Sequence, residues 1–148
     1  MKKIISVWLM LVMFALMLPQ PVLAQETNTI YYRDGSYLEM NIQMAESRTA
    51  GTKNGTKTYV YKNSDGVLQW KAVLSGTFTY TGTASSCTKS SCSVTIYDLD
   101  WYEVSKVAGK SGSSATCELT MGYKVFGITT KKIPVSMSLN CDVNGILS

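Results

Sequence analysis

Leu68-Gln69-Trp70-Lys71-Ala72-Val73-Leu74-Ser75-Gly76-Thr77-Phe78-Thr79-Tyr80 is the stretch whose reading decides the fold. Leu68, Trp70, Ala72, Leu74, Gly76, Phe78 and Tyr80 fall on one face, and Gln69, Lys71, Ser75, Thr77 and Thr79 fall on the other. A period of two belongs to a pleated strand with one side against a core. The run is long enough to bend, and Gly76 is the natural place for a bulge or kink. Further along, Ile133, Val135, Met137, Leu139, Cys141 and Val143 alternate with Pro134, Ser136, Ser138, Asn140 and Asp142. Pro134 has no ladder N–H to give, so this strand starts there or lies at an edge.

The alternation extends outward in both directions. Val94 and Ile96 keep the phase of Cys92, and Leu119, Met121, Tyr123 and Val125 keep that of Cys117. Turns fall where it stops: Arg33-Asp34-Gly35-Ser36 and Asn63-Ser64-Asp65-Gly66 both carry Asp-Gly, whose glycine supplies positive φ. Gly109-Lys110-Ser111-Gly112 and Gly127-Ile128-Thr129 divide the later strands. Seven or so strands without helical periodicity predict an all-β domain, a single antiparallel β-sandwich or small barrel.

Residues 1–24 predict where the domain works. Met1-Lys2-Lys3 is a basic start, Ile4 to Leu18 is apolar, and Pro19-Gln20-Pro21 precedes Val22-Leu23-Ala24. That is a cleavable secretory signal helix with the cut after Ala24; the apolar run falls short of a membrane span of roughly 18–20 residues. Residues 25–29 read as a flexible N-terminal arm, residues 30–148 as one domain, and the product as secreted, with no stable membrane span after cleavage. Lys2 and Lys3 leave with the signal, so 12 basic side chains then face 10 acidic ones. Such a balance, without a clustered basic patch, argues against nucleic acid as a partner.

Cys87, Cys92, Cys117 and Cys141 all lie in the exported part, and an even count there reads as two disulfides. Cys92, Cys117 and Cys141 share the apolar phase of their strands, whereas Cys87 falls in the Ser/Thr-rich loop from Thr83 to Ser91. Three pairings are possible; one is local, Cys87–Cys92 with Cys117–Cys141, and another is crossed, Cys87–Cys141 with Cys92–Cys117. Spacing leaves the choice open.

The chain contains no histidine, which removes the usual general base, the Ser-His-Asp and Cys-His arrangements and histidine-bound zinc. No base–nucleophile pair stands out, so the expectation is a protein that is not an enzyme and carries no cofactor. Asp98-x-Asp100, with Glu103 nearby, is the one acidic cluster; it could open a calcium loop, but the commoner use of such a pair is to accept backbone N–H bonds in a turn. Tyrosines are the richer set. Alternation puts Tyr59 and Tyr61 on one face, Tyr31 and Tyr32 cannot both face inward, and with Trp101 these five are candidate ligand contacts for a sugar or a partner protein. Tyrosine also lines ordinary half-wet sheets.

Several pieces together carry a resemblance: Tyr31-Tyr32-Arg33-Asp34-Gly35-Ser36-Tyr37, Tyr61-Lys62-Asn63-Ser64-Asp65-Gly66, Trp70 leading into Ser75 to Gly82, Tyr97-Asp98 to Trp101, Lys110-Ser111-Gly112, and Leu139-Asn140-Cys141 to Ser148. They resemble a family of small secreted proteins of Gram-positive, clostridia-type bacteria, a domain of unknown function. The resemblance implies export and an all-β fold and no activity. It also implies the crossed pairing, Cys87–Cys141, with Cys92–Cys117 as the additional bond. The expectation is therefore a secreted binding or interaction module, taking cell-wall or host glycan or another protein through its tyrosines and the loops at one sandwich end. The alternative, a bacteriocin- or toxin-like effector, suits the size and export but not a charge near neutrality.

Overall fold

A computed structural model describes residues 27–45 and 51–148. The expected signal at 1–24 and the first two residues of the expected arm lie outside these. Eight antiparallel strands follow in order: β1 (Thr27–Tyr31), β2 (Tyr37–Ala45), β3 (Thr52–Lys62), β4 (Leu68–Tyr80), β5 (Ser85–Ile96), β6 (Trp101–Ser111), β7 (Ser114–Val125) and β8 (Ile128–Asn140). They form a five-stranded sheet, β1-β2-β3-β4-β5, and a three-stranded sheet, β6-β7-β8. This is a β-sandwich of two meanders, not a closed barrel. Among the described residues no helix is long and apolar enough to cross a membrane.

The deciding stretch is β4, and its apolar face is the middle of the core. Trp70, Ala72, Leu74 and Phe78 are fully buried and meet Ala115, Cys117, Leu119 and Met121 of β7 and Ile133, Val135, Met137 and Leu139 of β8. Each large side chain so buried stabilises the fold by roughly 1.5–3 kcal/mol. The irregularity expected at Gly76 falls one residue on, between Thr77 and Phe78. Gly76 itself leaves room for the Phe78 ring, which lies 2.6 Å from where a Cβ would stand. Gly55, its partner on β3, gives the same room to Leu147 of the C-terminal segment. Pro134 sits on β8, which pairs with β7 alone and is an edge.

Three expectations need correction. Thr27–Tyr31 is not part of an arm but edge strand β1, held by its ladder to β2. Cys87 is not in a loop; it belongs to β5, opposite Phe78, and is buried. The third concerns pairing: of the two bonds of the crossed pairing, Cys92–Cys117 is present and Cys87–Cys141 is not. A disulfide joins Cys92 on β5 to Cys117 on β7, Cα atoms 6.2 Å apart, linking the two sheets. Cys87 and Cys141 remain separate buried thiols. Each sulfur turns to a nearby carbonyl, Cys87 Sγ to Lys89 O at 3.2 Å and Cys141 Sγ to Asp142 O at 3.5 Å. Burial raises both thiols above the ordinary cysteine value.

Candidate functional site

The tyrosines do not make an exposed platform. Tyr59, Tyr61 and Trp101 are buried, Tyr61 to 2 % exposure, and Tyr32 is half-buried. Only Tyr31 stands out, 74 % exposed, against Tyr37 at 5.7 Å between ring centres. The reason is register: Tyr61 lies opposite Trp70, so both point inward from neighbouring strands. Their rings stack at 5.1 Å and 9°, and Trp101 meets both edge-on, at 5.0 Å from Tyr61 and 6.2 Å from Trp70. Tyr123 and Tyr32 extend the cluster. Thus Tyr32, Tyr61 and Trp101 do come together as an aromatic cluster, Tyr59 is buried in the same hydrophobic core, and Tyr31 stands outside it.

A polar network caps this aromatic core at the end where the loops 32–36, 63–67 and 97–100 gather. Lys131 of β8 donates to Tyr61 Oη at 2.7 Å and to the Asp34 carboxylate. Tyr61 Oη donates to Ser36 Oγ, also at 2.7 Å, and Ser36 in turn bonds Asp34. Gln69, buried, accepts from Trp101 Nε1 at 3.2 Å and donates to Val67 O at 3.1 Å. Above these lies a cleft of about 260 Å³, reached also by Asp98 and Asn63. Tyr61, Trp101 and Tyr123 are its aromatic walls, the first two buried.

The charges settle one another. The hydrogen bonds from Lys131 and Ser36 hold the Asp34 carboxyl far below its usual range. Burial opposes charge on Lys131, but its bonds to Asp34 and Tyr61 outweigh that and raise it. A depressed acid contributes stability above its unfolded value, near 4, and loses it as pH falls through the folded value. The raised lysine contributes below its ordinary value and loses it at higher pH. Asp34→Asn should therefore flatten the acid side of the stability profile below about pH 4, as read by thermal melts. The pair is half-exposed and screened, so the loss at neutral pH should stay under about 1 kcal/mol.

Asp98 does what turn carboxylates ordinarily do: its Oδ1 accepts the Asp100 N–H at 3.0 Å. Among the described residues no group of three or more acidic or sulfur ligands converges on one point.

The larger concavity lies on the far side of the five-stranded sheet and was not foreseen. Positions that alternate with the core-facing ones form two cross-strand rungs, Gln43–Thr56–Ser75–Ser91 and Ala45–Asn54–Thr77–Lys89. Between them runs the rung of Gly55 and Gly76, whose core sides are already filled by Leu147 and Phe78. The result is a trough of about 870 Å³ across β2–β5, bounded on one side by residues 108–110 of β6. Its lining mixes hydroxyl and amide side chains with Met44, Ala45, Ala108 and the backbone of three glycines, and presents more apolar than polar surface; Lys89 and Lys110 stand among them and no carboxylate among the described residues lines it. Lys110 Nζ is tied to Thr88 O at 2.9 Å, and Lys89 has no ion-pair partner among the described residues.

Alternation alone marked Ser75 and Thr77 as outward, yet nothing local said that Gln43, Thr56 and Ser91 would fall in line with them. Comparison with protein-family models, curated proteins and solved structures finds no match.

Proposed function

We propose that this is a secreted, non-enzymatic binding module that takes a hydroxyl-rich glycan of the cell wall or of a host surface along the β2–β5 trough. One observation carries the reading: a concavity of about 870 Å³ in which hydroxyl and amide side chains are interspersed with small apolar surface, as a sugar's hydroxyls and C–H faces require, within the size range of ligand sites. Serines, threonines, Asn54 and Gln43 donate and accept in turn, which matches sugar hydroxyls, and Lys89 meets an acidic substituent. A polar trough on a rigid sheet also costs little ordering on binding. The disulfide between the sheets suits work outside the cell.

Thr56→Trp would fill the trough from an outward position without touching the core. Retention on purified peptidoglycan sacculi or on an array of neutral and acidic glycans should fall at least tenfold in this variant, with an unchanged melting temperature. No retention of the unaltered protein on either material would remove the reading.

A further inference from the structure

Lys89 and Lys110 belong to different sheets and meet at one irregularity. β5 carries an extra residue there: Thr77 pairs with Lys89 and Phe78 with Cys87, so Thr88 has no partner on β4. Thr88 Oγ1 donates to Thr77 O at 3.1 Å, and Thr88 O accepts from Lys110 Nζ at 2.9 Å. That carbonyl belongs to the peptide linking Thr88 to Lys89, so the Lys110 ammonium sits at the root of Lys89. The end of β6 is fixed in this place, because the Cys87 N–H donates to Gly112 O at 2.7 Å. Both lysines line the trough and both are exposed.

Their charge is not cancelled. β3, β4 and β5, which carry much of the floor, contain no aspartate or glutamate. β2 and β6 contain one each, and each has its own lysine: Glu39 pairs with Lys62 and Glu103 with Lys106, both at 2.9 Å. Asp34, Asp65, Asp98 and Asp100 lie in turns beyond the opposite ends of the same strands. Glu118 is bonded to Ser136, and Asp142 accepts two N–H groups of its own turn. Neither Lys89 nor Lys110 has an ion-pair partner among the described residues. An ammonium has three N–H donors, and Lys110 spends one of them on Thr88. Two unpaired like charges in one concavity are complemented by an anion, which accepts charge-assisted hydrogen bonds from both.

We infer that Lys89 and Lys110 form an anion subsite at the β5–β6 side of the trough, so that the ligand is an acidic glycan bearing phosphate or carboxylate groups and not a neutral one. This rests on the trough as the binding site and names the class of polymer it takes. The test uses the protein recovered from the medium of a secreting host and measures its retention on two matched pairs. One pair is peptidoglycan sacculi before and after removal of their polyol-phosphate polymer with hydrofluoric acid; the other is hyaluronan and carboxyl-reduced hyaluronan. The unaltered protein should be held about tenfold better on the acidic member of at least one pair, and that pair identifies the anion. The advantage should shrink as salt rises from about 50 to about 200 mM. Lys89→Gln/Lys110→Gln should bring the two members level at an unchanged melting temperature, since both side chains are exposed. Lys132→Gln, exposed on the other sheet, should leave the advantage whole. Equal retention of the unaltered protein on both members of both pairs would overturn the inference and leave the trough reading standing, as would an acidic advantage that survives the double variant. Failure to bind any of the four materials would remove both.

Discussion

Trp70→Ala should cost about 3–5 kcal/mol and lower the melting temperature by roughly 12–20 °C for a domain of this size. Trp70 is fully buried where the sheets meet, stacked on Tyr61 and edge-on to Trp101. Alanine leaves a cavity whose walls are other rings, and rings on paired strands cannot collapse into it. The side chain's worth is packing, because its indole N–H has no hydrogen-bond partner. Trp70→Phe should therefore lose less than half as much. Circular dichroism melts of the two variants decide the matter. A loss under about 1 kcal/mol for alanine would mean that the stack does not hold the sheets together.

That stack also shows where sequence reasoning reached and where it stopped. The period of two in β4 and β8 specified strands, and the Asp-Gly pairs specified two of the turns. Alternation put Tyr59 and Tyr61 on one face, which is correct, yet could not say which face looked inward. Tyrosine in a sandwich core normally needs somewhere for its hydroxyl. Tyr61 has partners because Ser36, 25 residues back, accepts from its hydroxyl and Lys131, 70 residues on, donates to it from β8. Asp34 and Lys131 are 97 residues apart and ordinary in their local settings, so nothing in either neighbourhood announced the pair. Residues 27–29 looked like part of an arm because Thr27-Asn28-Thr29 is short and polar. Its order comes from β2, which offers a free edge at the right register. The trough stayed hidden for the same reason: it is a property of strand pairing, and single strands carry no record of it. Phe126 was legible as a turn neighbour through Gly127, but only backbone geometry reveals that it bears positive φ.

Removing the bond between the sheets should be the other large effect. Cys92 and Cys117 are 25 residues apart in sequence and sit on different sheets, so reduction frees a loop containing all of β6. For a loop of that length the chain-entropy estimate is about 3–3.5 kcal/mol, a substantial share of a total stability of about 5–15 kcal/mol. The paired substitution Cys92→Ala/Cys117→Ala is the appropriate variant, since a single change would leave a reactive thiol beside two buried ones. Its urea midpoint should drop accordingly, and β5 and β6 should gain amide exchange before β3 and β4. Non-reducing mass analysis after alkylation fixes the reference state: two labels that appear only on unfolding, at Cys87 and Cys141, correspond to the bonding described above. No labels would mean that a second bond closes in the secreted protein, and the variant would then lose less because the sheets keep another tie. A midpoint unchanged in the variant that retains two free thiols would show that packing of the β4 face alone keeps the sandwich shut.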